Sequence, residues 1–291
     1  MDLDASRLVL RQNALQDGYT DNELRRLYTR GDITRLGHGA YLDATRLDGL
    51  NRVEKHRVLL EAVMPALSSG AVMSHQTAAL MHGWPLWAVD LTRVHVTRDR
   101  RNGGRRRADT MVHCAPLPGS AVHVVNGFTV TSPARTLVDV ARTVPFEQAV
   151  VMGDAAGIEG DSLVDELAVA SRRHGIAGAR RVAAFLDPLS GSVGESRSRV
   201  LFHRVGLPPP VLQAGIGVWR VDFLWGDVIG EFDGRVKYGR FLRPGQDAGD
   251  AVFEEKRRED ALRALGFRVV RWTWADLARP EALIARLRAL L

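Results

Sequence analysis

Cysteine is almost absent: Cys114 is the single one in 291 residues. One thiol excludes an intrachain disulfide, a zinc ribbon and a paired redox motif, and it fits a reducing compartment. Lysine is scarce too. Lys55, Lys237 and Lys256 are the only three, so 37 of the 40 basic residues are arginine. In such a chain a lysine hints that a compact, movable ammonium matters where it stands. No run approaches the ~20 apolar residues that a spanning helix needs. The opening Met1-Asp2-Leu3-Asp4 lacks the basic and apolar regions of a secretion signal. The expectation is a soluble, cytoplasmic protein with no membrane partner.

What is present is the mix of a globular protein, 45% hydrophobic and 25% charged, over a length that suggests two or three domains. A net charge of +6 and a pI near 10.0 favour a polyanionic partner without saying which.

The first fifty residues read as helix, turn, helix, hairpin. Asp4 to Gln16 is amphipathic and ends at Asp17-Gly18. Thr20 and Glu23 form a capping box for a second helix that stops at Gly31. Ile33 to Leu42 reads as a hairpin around Gly37-His38-Gly39. The second helix carries Arg25, Arg26 and Arg30, and the hairpin adds Arg35 and His38. In a winged helix-turn-helix such a helix enters the major groove of double-stranded DNA while the wing touches backbone. The bland alternative is a protein-interaction domain with a solvated arginine face.

Residues 51–185 mix helices and strands. Helices are expected over Arg52–Leu67 and Ser74–Met81, and from Pro133 behind the cap Ser132. Short strands Arg93–Thr97 and Thr110–Ala115 flank the arginine-rich segment 98–107, which reads as a solvated hairpin tip. His75 and His82 read as packing or surface residues. Leu186 to Gly194 is the linker candidate. After it comes a separate α/β unit of helix, strand, strand, helix, strand, helix.

One hairpin in that unit carries chemistry. Trp219–Trp225 and Val228–Gly234 are strand-like and meet at Gly226-Asp227, a pair suited to a type II′ turn. That turn sets Trp225 opposite Val228, and therefore Asp222 opposite Glu231, with Cβ atoms about 4.5–5.5 Å apart. Val221, Phe223, Trp225, Val228 and Phe232 form the other, apolar face. Two carboxylates on a half-buried face need a cation or a shared proton, and a hard divalent ion is the natural occupant. A solvated sheet face is the alternative. Asp233 lies on the same face, and an ion pair with Arg220 competes with ligation there. Trp272 and Trp274 read as core.

Glu195 in GESRSR (194–199), then RVDFLW (220–225), GEFDGRVKY (230–238) and EEKRREDALRALGFRVVRWTW (254–274), resemble the PD-(D/E)xK nucleases. The closest likeness is to the small endonucleases of very-short-patch repair. The resemblance implies that Asp222 and Glu231 hold Mg²⁺ with help from Glu195, and that the ion activates water for phosphodiester hydrolysis of DNA. The family's lysine would fall at Asp233, so Lys237 or Lys256 would have to supply the ammonium. Further upstream, DNELRRLYTRGDITRLGHGAYL (21–42), SHQTAALMHGWPL (74–86) and TSPARTLVDVAR (131–142) resemble AbiEi-type antitoxins. These pair a winged helix with an α/β domain, repress their own promoter and counteract a cognate toxin.

Together these readings predict an α+β multidomain protein. It has a winged helix-turn-helix at 1–50, an antitoxin-like α/β domain at 51–185, a linker at 186–194 and a restriction-endonuclease-like domain at 192–291. The expected function is Mg²⁺-dependent DNA cleavage guided by the reader, or non-catalytic repression in a toxin–antitoxin system.

Overall fold

The computed structural model describes residues 8–37, 39–234 and 248–291, with backbone alone for 248–255. His38 and Lys237 lie outside the described residues. The chain is an α+β protein, with three sheets among the described residues. It divides into two compact units, Met1–Gln148 with Ile158–Arg181, and Ala149–Gly157 with Val182–Leu291. No helix among the described residues is long and apolar enough to cross a membrane.

In the first unit, strand β1 (Val9–Leu10) precedes a short helix α1 (Arg11–Gln16). The single helix expected from Asp4 is thus interrupted. Val9 and Leu10 pair with Tyr41 and Ala40, and the ladder wins over local helix preference. Helix α2 (Asp21–Arg30) starts at the expected capping box and ends at Gly31 with φ +83°. Strands β2 (Ile33–Gly37) and β3 (Ala40–Asp43) form the hairpin, with an irregularity between Arg35 and Gly37. Val9, Ala14, Leu24 and Ile33 are the small core of this region.

Helix α3 (Ala44–Asp48) and helix α4 (Arg52–Val63) lead to the second sheet. Its strands are β4 (Val72–Met73), β5 (Val94–Arg98), β6 (Arg105–Arg106), β7 (Thr110–Cys114), β8 (Val122–Val125) and β9 (Phe128–Thr131), ordered β6-β7-β5-β4-β9-β8. β5 and β7 run parallel, so the chain between them must cross over. The arginine-rich segment is therefore that crossover and not a hairpin tip, and Arg105–Arg106 pairs along the edge of β7 as β6. Helix α5 (His75–Met81) follows β4, and helix α6 (Pro133–Ala141) starts behind Ser132 as expected.

Helices α7 (Phe146–Ala156), α8 (Gly160–Val169) and α9 (Ile176–Phe185) come next. The division between the units falls inside α7, just after it and inside α9, so the chain passes between them three times. The stretch 186–194 is no slack linker. Asp187 N–H donates to Asp154 at 2.9 Å, and Ser190 Oγ meets Ser196 Oγ at 3.0 Å. Helix α10 (Val193–Arg204) already begins at its end, capped by Ser192.

The second unit is built on a four-stranded sheet, β10 (Val211–Ile216), β11 (Trp219–Trp225), β12 (Val228–Phe232) and β13 (Arg268–Trp272), in that order. The first three are antiparallel neighbours and β13 joins β12 in parallel, after the helix Ala248–Ala264. Both faces are covered. Leu201, Phe202, Phe223, Trp225, Phe232 and Trp272 pack on one side, and Ile216, Val221, Ile229 and Leu262 form a second cluster. Val221, expected with Phe223, belongs to that second cluster. Helix α10 approaches β12 so closely that a Cβ on Gly194 would stand 1.9 Å from the Phe232 ring. Trp272 is core, with its indole N–H donating to Ser198 at 2.8 Å. Trp274 is not core. It is 36% exposed, stands edge-on to Phe232 and lies under Arg197.

Candidate functional site

The acidic hairpin closes through Gly226, the residue of the turn with a positive φ, +55°, as a type II′ geometry requires. Its ladder pairs Trp225 with Val228, Leu224 with Ile229 and Phe223 with Gly230. Asp222 and Glu231 occupy the next positions. Asp222 Oδ2 accepts the backbone N–H of Phe232 at 2.9 Å, which ties the acid to the strand beside Glu231.

Gln213 connects a third acid to this place. β10 pairs Leu212 with Phe223 and Ala214 with Val221, and Gln213 between them takes φ +50°. Its amide donates to Glu195 Oε2 at 2.8 Å, where the Gly191 N–H also donates at 2.9 Å. Glu195, in the first turn of α10, is buried. Asp222, Glu231 and Glu195 thus come from three elements with Gln213 as a fourth contributor. Nothing in the sequence marked Gln213.

Among the described residues the cations at this site are arginines. Glu231 is 9% exposed and forms ion pairs with Arg258 on the helix Ala248–Ala264 and with Arg271 on β13, the latter at 3.2 Å. Arg258 also donates to the carbonyl of Arg220 at 2.9 Å. Lys256 is exposed. Two residues along a helix is a turn of about 200°, so Lys256 faces away from the side that Arg258 uses. Asp233 donates its N–H to the Trp272 carbonyl at 2.8 Å, and among the described residues it makes no ion pair with Arg220.

This donor set does not fit a bound Mg²⁺ as it stands. Glu231 is already compensated by two guanidiniums, and one oxygen of Asp222 and one of Glu195 are committed to N–H donors. The carboxylates do not close to a shared ligand spacing among the described residues. The group that does is His75, His95 and His113, whose ring nitrogens lie within 4.8 Å of one another.

On the opposite part of the chain, α2 buries only Leu24 and leaves Arg25, Arg26 and Arg30 exposed. Arg30 pairs with Asp32 at 2.8 Å. Arg35 is exposed on the hairpin, its Nε donating to the Gly37 carbonyl at 3.1 Å.

The histidine trio escaped the sequence reading because its members are 20 and 18 residues apart, on three elements. Its surroundings are unusual. Burial lowers all three pKa values, to about 3 for His95 and about 4 for His113, and well below the ordinary value for His75. The signal available was V-H-V and V-H-C, a histidine placed where a half-buried strand usually has an apolar or hydroxyl residue.

No family model matches the chain. Two relatives from Mycobacterium tuberculosis are the uncharacterized proteins Rv2248 (strain ATCC 25618 / H37Rv) and MT2308 (strain CDC 1551 / Oshkosh). Each is 29% identical over 270 residues, covering 88% of this chain and 92% of its own. Among solved structures, the RV2827C protein from Mycobacterium tuberculosis aligns with a TM-score of 0.41 and 15% identity, over 74% of this chain and 84% of its own. The chemistry has to be read from the residues themselves.

Proposed function

We propose that the protein binds double-stranded DNA through α2 and the β2–β3 hairpin, as a winged helix-turn-helix reader would, and acts as a non-catalytic regulator. The observation that carries this is the exposed row Arg25, Arg26 and Arg30 on a helix that buries only Leu24, with Arg35 exposed on the hairpin that follows. Guanidiniums on such a helix suit both phosphate contact and bidentate reading of guanine edges. In the second unit, α10, the three antiparallel strands, a helix and a parallel strand follow the order of a PD-(D/E)xK nuclease. The Arg258 and Arg271 pairs on Glu231, and Asp233 where the family has lysine, favour a binding module over an active enzyme.

The second reading, a Mg²⁺-dependent deoxyribonuclease, is favoured by Asp222 and Glu231 standing at adjoining ladder positions, with Glu195 linked in through Gln213. It requires Glu231 to exchange arginine for metal.

Binding of the intact protein to its own promoter fragment, followed by fluorescence anisotropy across a salt series, tests the first reading. Arg25→Ala with Arg26→Ala should weaken binding and lower the salt slope by about one per lost phosphate contact. An unchanged affinity removes α2 as the reader. Incubation of plasmid DNA with Mg²⁺ decides between the readings: cleavage that disappears in Glu231→Ala establishes the nuclease and ends the regulator proposal.

A further inference from the structure

We propose that His75, His95 and His113 form a binding site for a first-row transition ion of the Zn²⁺ class, open on one side to an arginine-lined cleft. The site lies wholly in the first unit and does not depend on the DNA-binding reading.

The three ligands come from elements that hold them independently. His95 and His113 sit on the parallel strands β5 and β7, where His95 pairs with Met111 and His113 with Thr97. They are therefore diagonal neighbours on one face of the sheet, the face that their neighbours Val94, Val96 and Val112 leave when they enter the core. His95 Nδ1 lies 3.1 Å from His113 Nε2. Two imidazole nitrogens on one tetrahedral zinc at ~2.0–2.1 Å are about 3.3 Å apart, so the hydrogen bond between the two rings holds these nitrogens near the spacing a shared ion would need. That contact is a hydrogen bond, so one of the two nitrogens now carries a proton; on ion binding it moves to the other nitrogen of its own ring, and no net proton change is needed.

His75 supplies the third nitrogen. It opens α5 in a left-handed conformation, φ +51°, while 3% exposed. Strain of this kind in a buried non-glycine residue persists where the surroundings over-determine it, and it concentrates at functional sites. The residue's Nδ1 is held by Ser74 Oγ at 3.0 Å, a partner that orients the ring and leaves Nε2 as ligand. Its ring stacks on His113 at 3.7 Å between centroids, with the ligand nitrogens of the three rings within 4.8 Å of one another, so the proposal requires the His75 ring to turn out of this stack when the ion binds.

The environment suits an ion with an open position. His75 and His113 line a cleft of about 690 Å³ shared with Arg100, Arg105, Arg135 and Arg142. The cations nearest the histidines are balanced by buried Asp139, which pairs with Arg135 at 2.6 Å and Arg142 at 3.0 Å. Three imidazoles select zinc, cobalt or nickel over magnesium, and three protein ligands leave a fourth position for water or an anion. Facing arginines, that position takes an anionic oxygen donor such as a phosphate group.

The test uses the full chain, stripped of metal and titrated with Co²⁺ as a spectroscopic stand-in for Zn²⁺. One equivalent should give the visible absorption of a tetrahedral nitrogen-ligated complex, displaced by Zn²⁺ and altered by inorganic phosphate. His95→Ala and His95→Gln should each weaken binding at least about tenfold, whereas His123→Ala, on an exposed strand position, should leave it unchanged. Circular dichroism of each variant checks that it folds, and the wild-type titration stands even if none does. Absence of a one-equivalent complex in the wild type overturns the site, as does equal loss in His123→Ala. A spectrum indifferent to phosphate overturns the open, anion-facing position.

Discussion

Arg271 stands opposite Glu231 in the parallel ladder of β12 and β13, and its Nη2 lies 3.2 Å from the Glu231 Oε2. With Arg258 on the other oxygen, the buried carboxylate has two guanidinium partners. Removing it takes one carboxylate partner from each arginine, although Arg271 keeps Glu259 at 3.2 Å. Both arginines keep partial contact with water, so Glu231→Ala is expected to destabilise the fold by about 1–3 kcal/mol and not by the full cost of a dry pair. Glu231→Gln, which keeps the shape and one acceptor oxygen, should cost less. Urea unfolding of the three proteins measures this. Equal stability of all three would show that the pairs carry no weight in the fold and that Glu231 is held for another purpose.

A stronger version of the same physics lies in the first unit. Arg135 and Asp139, one turn apart on α6, are both about 1% exposed and joined at 2.6 Å. Asp139 also meets Arg142 at 3.0 Å and Arg173 at 3.7 Å. Asp139→Ala leaves the buried Arg135 guanidinium with only the more distant Glu166 carboxylate, at 3.6 Å, and breaking such a buried pair costs about 3–5 kcal/mol. Arg142→Ala removes a more exposed partner and should cost far less. Thermal unfolding of the two variants should rank them in that order.

Much of this architecture could be read in the residues because its signals are local. The Thr20–Glu23 box, Gly31, Ser132-Pro133 and Gly226-Asp227 each act within four residues, and each appears where expected. The same locality explains the misses. The helix expected from Asp4 gave way at Val9 because its partner, Tyr41, is thirty-two residues distant. The arginine segment looked like a hairpin tip because the parallel pairing of β5 and β7 cannot be seen from their own sequences. Asn126-Gly127 was a legible turn between β8 and β9, with φ +49° and +80°, that the sequence reading passed over. At the acidic hairpin, turn geometry gave the register that the ladder shows from Trp225–Val228 to Phe223–Gly230, the positions next to Asp222 and Glu231. Arg258, Arg271 and Gln213 reach the same point only through a crossover helix, a parallel strand and a strained β10 residue.

Gly194 tests whether helix propensity or packing decides a position. It lies in the first turn of α10, where alanine is intrinsically favoured by about 1 kcal/mol. Against this, a Cβ there would meet three atoms of the Phe232 ring at 1.9–2.4 Å. Overpacking typically costs about 1–3 kcal/mol, so Gly194→Ala should destabilise the protein despite its better propensity. Adding Phe232→Leu to Gly194→Ala should recover part of the loss. A double-mutant cycle with no coupling would mean that α10 shifts away from β12 at little cost.

His56 sets a pH dependence of known sign. It is 1% exposed, donates from Nδ1 to the Leu91 carbonyl at 2.8 Å and accepts at Nε2 from the Thr77 hydroxyl at 3.0 Å. That hydroxyl in turn accepts the His95 N–H at 2.9 Å, so the neutral ring completes a satisfied chain. Burial holds its pKa below 6.5, only partly opposed by the bond to Leu91. The unfolded chain therefore binds the proton more readily. Stability from this group is complete above pH 6.5 and declines as pH falls below it, by at most about 1.4 kcal/mol per pH unit, until the folded ring itself titrates. His56→Gln can keep a donor and an acceptor but carries no titrating proton. Unfolding free energies at several pH values between 7.5 and 5 should fall less steeply for His56→Gln than for the wild type. Parallel slopes would locate the acid sensitivity in other residues.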